Sequence, residues 1–104
     1  MRIAVIPARG GSKRIPRKNV RAFAGRPMIG WSIEAALRSD LFDQVVVSTD
    51  DDEIASIALQ EGASAPFRRP LELSDDHTPT KPVVAHAIER LQASGETIDH
   101  VCCI

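Results

Sequence analysis

The chain has 104 residues, and its 13 basic and 14 acidic side chains give a formal net charge of −1. This length suits one domain and leaves little room for two. The near-zero charge disfavours a general nucleic-acid-binding protein, which is normally strongly basic. No apolar run approaches the roughly 20 residues of a membrane span, so we expect no membrane association and a cytoplasmic location. The two cysteines, Cys102 and Cys103, are adjacent, so we expect no disulfide framework.

The charges are unevenly distributed along the chain. Eight of the 13 basic residues lie at positions 2–26, and the first acidic residue is Glu34. The beginning of the chain is therefore a local basic site inside a nearly neutral molecule. This pattern favours a small anionic ligand over a long polyanion.

The first half of the chain is predicted to form a strand, a loop, a helix and a second strand. Arg2–Pro7 is a short β-branched apolar run, typical of a strand that is buried on both faces. The glycines and prolines of residues 8–20 predict a loop. Apolar residues at helical spacing predict a helix from Met28 to about Arg38, with Trp31 in the core. Gln44–Ser48 is predicted to be a second buried strand.

A capped helix and a third strand are predicted next. Asp50 can cap this helix, Glu53 can complete a capping box and Gly62 can end it. A metal site is the alternative reading of the acids at 50–53, and we favour capping because acids in a first helical turn suit the helix dipole. Ser64–Phe67 is predicted to be a short strand, and residues 68–80 a polar loop.

The last part of the chain is predicted to form a helix and a strand. Apolar residues from Val83 to Leu91 mark the helix, which ends near Gly95, and His86 within it is predicted to pack or to contact a partner. The strand begins at His100 and runs to Ile104, with buried, inert cysteines. The alternating order predicts an α/β fold, a parallel sheet with helices on both faces. Because the chain stops inside an apparent strand, we expect the fold to be incomplete at the C-terminus and the chain to be part of a longer protein.

The segment directly after the first strand carries the strongest functional signal. Residues 6–19 read IPARGGSKRIPRKN, and ligands of open α/β sheets bind at the carboxyl ends of strands. Gly10 and Gly11 permit backbone N–H groups to approach a phosphate closely. The cations of this segment suit a triphosphate, and they are Arg9, Lys13, Arg17 and Lys18. A solvated basic loop is the alternative. The chain contains neither GxxxxGK[ST] nor GxGxxG, which excludes a P-loop NTPase and leaves a dinucleotide fingerprint unsupported.

This segment resembles the N-terminal signature of the acylneuraminate cytidylyltransferase family, which activates nine-carbon sugar acids with CTP. Further segments resemble the family in order along nearly the whole chain: 25–29 (GRPMI), 46–51 (VVSTDD), 69–73 (RPLEL) and 75–80 (DDHTPT). Arg14, Thr80 and the ending VCCI are most similar to pseudaminic acid cytidylyltransferases.

The resemblance implies a Rossmann-like nucleotide-diphospho-sugar transferase fold, of which residues 1–104 are the N-terminal nucleotide-binding part of one domain. It implies the reaction of CTP with a nonulosonic acid, a sialic-acid-like sugar acid, to form a CMP-sugar and pyrophosphate. It further implies Mg²⁺ as cofactor, with its aspartate ligands beyond residue 104, and a homodimeric full-length protein. We therefore assign no metal ligand within this chain.

The resemblance also implies residue roles. Arg9 and Lys18 are expected to be catalytic, stabilising charge in the transition state. Arg69 and Thr80 are expected near the base and ribose, although a surface ion pair with Glu72 or Asp75 is the alternative for Arg69. The full set expected to bind CTP is Ala8, Arg9, Gly10, Gly11, Ser12, Lys13, Lys18, Asn19, Arg69 and Thr80.

Three other functions stay open at this point. The sugar acid can be N-acetylneuraminic acid instead of pseudaminic acid. A 3-deoxy-manno-octulosonate cytidylyltransferase is a further possibility, which the Gly10-Gly11 pair disfavours. A non-catalytic nucleotide-binding fragment is the third, and we expect residues 1–104 alone to bind CTP weakly without turnover.

Overall fold

The structure is a computed structural model that describes residues 1–8, 22–23, 26–70, 73 and 80–104. Its elements, in chain order, are β1 (Arg2–Pro7), β2 (Ala22–Phe23), β3 (Arg26–Pro27), α1 (Met28–Arg38), β4 (Gln44–Ser48), α2 (Asp52–Gln60), α3 (Thr80–Ala93) and β5 (His100–Cys103). The predicted bounds of β1, α1 and β4 are confirmed. The predicted last strand ends one residue earlier, and α3 begins at Thr80, where the sequence predicted the end of a loop.

The main sheet consists of three parallel strands in the order β4-β1-β5. Val5, in the central strand, is paired with Val46 on one side and with Cys103 on the other. The β2 and β3 strands form a separate antiparallel pair of two residues each. Because all three main strands run in the same direction, their carboxyl ends lie at one edge, which we call the carboxyl edge (Pro7, Ser48 and Cys103).

Each face of the sheet has its own hydrophobic core, because alternate residues of a strand point to opposite faces. Ala4 and Ile6 of β1 pack with α1 and α2, whereas Ile3 and Val5 pack with α3. Both sides of β1 are thus buried, as its unbroken apolar sequence predicts. The prediction of a parallel sheet with helices on both faces is confirmed.

One stripe of α1 faces the sheet, and this stripe corrects the prediction for Trp31. Ile29, Ile33 and Ala36 lie at helical spacing and are all at most 4% exposed. Trp31 follows Ile29 by two residues, about 200° around the helix, and is 40% exposed. Leu37 is also apolar and also fits the helical spacing, but it is 46% exposed.

The cap of α2 lies one residue later than predicted. Asp51 has extended backbone angles, and its Oδ2 accepts a hydrogen bond of 2.9 Å from the amide of Ile54. Asp50 is therefore not the N-cap, and Glu53 does not occupy the third helical position that a capping box requires. Thr49 contributes to this shift because its Oγ1 accepts a 3.1 Å hydrogen bond from the amide of Asp51.

The predicted strand at Ser64–Phe67 is reduced to a single parallel bridge between Ser64 and Val46. The amide of Ser64 donates to the carbonyl of Val45, and the amide of Val47 donates to the carbonyl of Ser64. Pro66 has no amide hydrogen with which to continue this ladder. Phe67 is buried in the core beside α3 instead of extending the sheet.

The cysteines of β5 are exposed, so the prediction that they are buried is wrong. Among the described residues, β5 has β1 as its one neighbouring strand, and less of the chain covers it than covers β1. The helices that the structure describes are all too short or too polar to cross a membrane.

Candidate functional site

The basic segment begins at the carboxyl edge of the sheet. Ala8 directly follows β1 and is 1% exposed. Its amide donates a 2.9 Å hydrogen bond to the carbonyl of Ser48, the last residue of β4. This contact fixes where the chain leaves β1, and it agrees with the predicted position of the segment.

Polar burial in the described part of the chain is concentrated at this same edge. The buried polar or charged residues there are Ser48, Thr49 and Arg69. Ser48 and Thr49 are fully buried, and Arg69 is 5% exposed. Buried polar groups cost free energy unless they form hydrogen bonds, so the partners of these three residues decide what their burial costs.

Arg69 binds backbone carbonyls on two sides. Its Nη2 donates to the carbonyl of Ser48 at 2.8 Å, and its Nη1 donates to the carbonyl of Leu73 at 3.1 Å. Its own amide donates to the carbonyl of Thr49 at 2.8 Å. Arg69 is therefore buried and not at the surface. The alternative of an ion pair with Glu72 or Asp75 involves residues outside the described ones and is not tested.

Thr80 is the first residue of α3 and is exposed. Because α3 leads to the amino end of β5 through residues 94–99, it runs antiparallel to the strands. Its first turn therefore lies toward the carboxyl edge. The structure thus brings Ala8 and Arg69 to one shared carbonyl at the carboxyl edge and places Thr80 toward the same edge.

The helices that begin toward this edge differ in their suitability for anions. The first turn of α2 carries Asp52 and Glu53 next to the capping Asp51, so acidic groups already match its positive end. The first turns of α1 and α3 contain no acid, and α3 carries Lys81 as its second residue. A phosphate group would be favoured near α1 or α3 and repelled near α2.

The described residues offer no metal cluster. No group of three or more His, Cys, Asp or Glu side chains that could hold a metal ion occurs in the described ranges. Asp51 of the acidic run caps α2. The cofactor Mg²⁺ therefore stays a prediction.

His86, predicted to pack or to contact a partner, lies edge-on against Phe67, with ring centroids 5.3 Å apart and planes at 80°. This contact joins α3 to the segment that precedes Arg69. An edge-to-face arrangement is the favourable geometry for a pair of aromatic rings. The packing role of His86 is confirmed.

Most residues of the predicted CTP site lie outside the described residues. These are Arg9, Gly10, Gly11, Ser12, Lys13, Lys18 and Asn19. Their roles stay predictions. Ala8, Arg69 and Thr80 are the predicted site residues that the structure describes.

Sequence reasoning assigned no role to Ser48 and Thr49. Ser48 provides the carbonyl that Ala8 and Arg69 share, and Thr49 provides acceptors for Arg69 and Asp51. Two hydroxyl residues directly after the buried run Val45–Val47 were the available signal. Their importance depends mainly on backbone carbonyls, which no side-chain pattern reveals.

The family model for cytidylyltransferases matches residues 3–102. The chain is 56% identical to the pseudaminic acid cytidylyltransferase of Campylobacter jejuni over 102 residues, which cover 98% of this chain and 44% of that protein. It is 45% identical to the CMP-N,N'-diacetyllegionaminic acid synthase of Legionella pneumophila, over 95% of this chain and 43% of that protein.

A solved structure is also similar in fold. The structure of CMP:2-keto-3-deoxy-manno-octonic acid synthetase complexed with CTP matches with a TM-score of 0.72 and 29% identity, over 86% of this chain and 35% of that chain. The chain thus spans less than half of the length of these relatives. Since the family model matches nearly every residue from β1 to β5, the chain belongs to the cytidylyltransferase family.

Proposed function

We propose that the full-length protein is a CTP-dependent cytidylyltransferase that activates a nonulosonic acid, and that this acid is pseudaminic acid. The observation that carries the proposal is the 56% identity to the Campylobacter jejuni pseudaminic acid cytidylyltransferase over 98% of this chain. The position of Ala8 at the carboxyl edge adds support, because it starts the basic segment where α/β sheets bind ligands.

In the proposed reaction, the anomeric hydroxyl oxygen of the sugar acid attacks the α-phosphorus of CTP. A new oxygen–phosphorus bond forms, the bond to the bridging oxygen of the β-phosphate breaks, and pyrophosphate leaves with the negative charge. The hydroxyl proton passes to a base or to water. Negative charge grows on the phosphate oxygens, so fixed cations and N–H donors around them lower the barrier.

The cations and donors of the basic segment would meet this need. Arg9, Ser12 and Lys13 would hold the triphosphate, with the Gly10-Gly11 backbone close to it. Lys18 would stabilise the charge that develops on the leaving pyrophosphate. The absence of acids in the first turns of α1 and α3 is compatible with phosphates on their side of the edge.

Pyrophosphate release by the full-length protein, with CTP and Mg²⁺, tests the proposal. Pseudaminic acid, N,N'-diacetyllegionaminic acid and N-acetylneuraminic acid are compared as acceptors. Release with pseudaminic acid alone is the expected result. Release only with another of these acids would keep the reaction and overturn the choice of sugar, whereas no release from a folded protein would leave a non-catalytic nucleotide-binding protein.

The second candidate substrate is the legionaminic type of acid. The 45% identity to the Legionella pneumophila synthase favours it, and this relative covers nearly the same part of the chain. It ranks lower because its identity is lower by 11 percentage points (56 − 45) over a similar length.

Lys18 provides a test of the catalytic assignment. Lys18→Ala is expected to lower turnover by about 100-fold or more, the range for removing one charge-stabilising donor. Arg90→Ala is the control, since Arg90 is exposed in the last turn of α3, away from the carboxyl edge. Unchanged turnover in Lys18→Ala would remove this residue from the catalytic set.

We further propose that the full-length protein is a homodimer, as the family resemblance implies. Light scattering of the purified full-length protein gives its mass in solution. A mass twice that of the single chain is expected, and the mass of one chain at micromolar concentration would contradict the proposal.

A further inference from the structure

We draw no further inference here: the strongest candidate, the exposed apolar surface of Leu37, Leu41 and Leu59 near the carboxyl ends of α1 and α2, carries no proposal because nothing in the described part of the structure shows what covers it.

Discussion

Asp43 and Asp99 occupy equivalent positions, one residue before β4 and one residue before β5, and they hold the start of β1 from opposite sides. The Oδ2 of Asp43 accepts from the amide of Arg2 at 2.6 Å, and the Oδ2 of Asp99 accepts from the N-terminal ammonium of Met1 at 2.6 Å. The amides of the two aspartates donate in return to the carbonyls of Arg2 and Met1. These paired contacts fix the register of all three strands at the edge opposite the candidate site.

The two aspartates predict how stability depends on pH. The hydrogen bond from the Arg2 amide lowers the pKa of Asp43, and the hydrogen bond from the N-terminal ammonium lowers that of Asp99, both below the ordinary 3.8. A lowered folded-state pKa gives a contribution that is complete above the ordinary value and is lost as the pH falls through the folded-state value. The wild-type protein is therefore expected to lose unfolding free energy as the pH falls from 6 to 3, and Asp43→Asn is expected to lose less over the same range. Urea unfolding at both pH values measures this, and parallel profiles for variant and wild type would contradict it.

The cap of α2 predicts a difference between two substitutions at Asp51. Asp51→Ala removes the acceptor for the Ile54 amide and is expected to lower the unfolding free energy by about 1 kcal/mol. Asp51→Ser retains a capping oxygen and is expected to lose much less. Chemical denaturation of both variants measures the difference, and equal losses would indicate that the carboxylate acts in another way.

The two sides of α2 predict a large contrast in core substitutions. Ile54 is fully buried, so Ile54→Ala is expected to lower the unfolding free energy by about 2–5 kcal/mol. Leu59 lies on the same helix but is 61% exposed, and Leu59→Ala is expected to change it by about 0.5 kcal/mol or less. The midpoint of denaturant unfolding measures both, and a large effect at Leu59 would mean that something covers this side chain in solution.

The hydroxyl of Ser48 predicts an unusual result for a buried polar residue. Its Oγ is buried without a hydrogen-bond partner in the part of the chain that the structure describes. Ser48→Ala removes this unsatisfied group and retains the backbone carbonyl, so we expect an unfolding free energy equal to or up to about 1 kcal/mol above that of wild type. Thermal unfolding measures the change, and a clear loss of stability would show that the hydroxyl has a partner.

The fold was largely predictable because its strands are short apolar runs between polar segments. The bounds of β1 and β4 follow from such runs, and α1 follows from the spacing of Ile29, Ile33 and Ala36. Residue type alone did not predict burial where the direction of the side chain decides whether it is buried. Trp31 is apolar, but its angle on α1 turns it away from the sheet.

The candidate site was predictable in place and only partly in detail. The position of Ala8 follows from the rule that loops after parallel strands meet at one edge. Arg69 was identified through a motif, but its partners are backbone carbonyls of Ser48 and Leu73, which the amino-acid type at those positions does not encode. The cap at Asp51 was missed by one residue because several adjacent acids can each cap a helix.

The shared carbonyl of Ser48 has a consequence for how this chain can change during evolution. Every residue type supplies a carbonyl, so the acceptor itself persists whichever side chain stands at position 48, provided that the side chain fits. The guanidinium at position 69 has no such substitute among the other residue types. In a library containing every substitution at both positions, functional variants should therefore carry several different small residues at position 48 but only arginine at position 69. Variation would accumulate at position 48 alone.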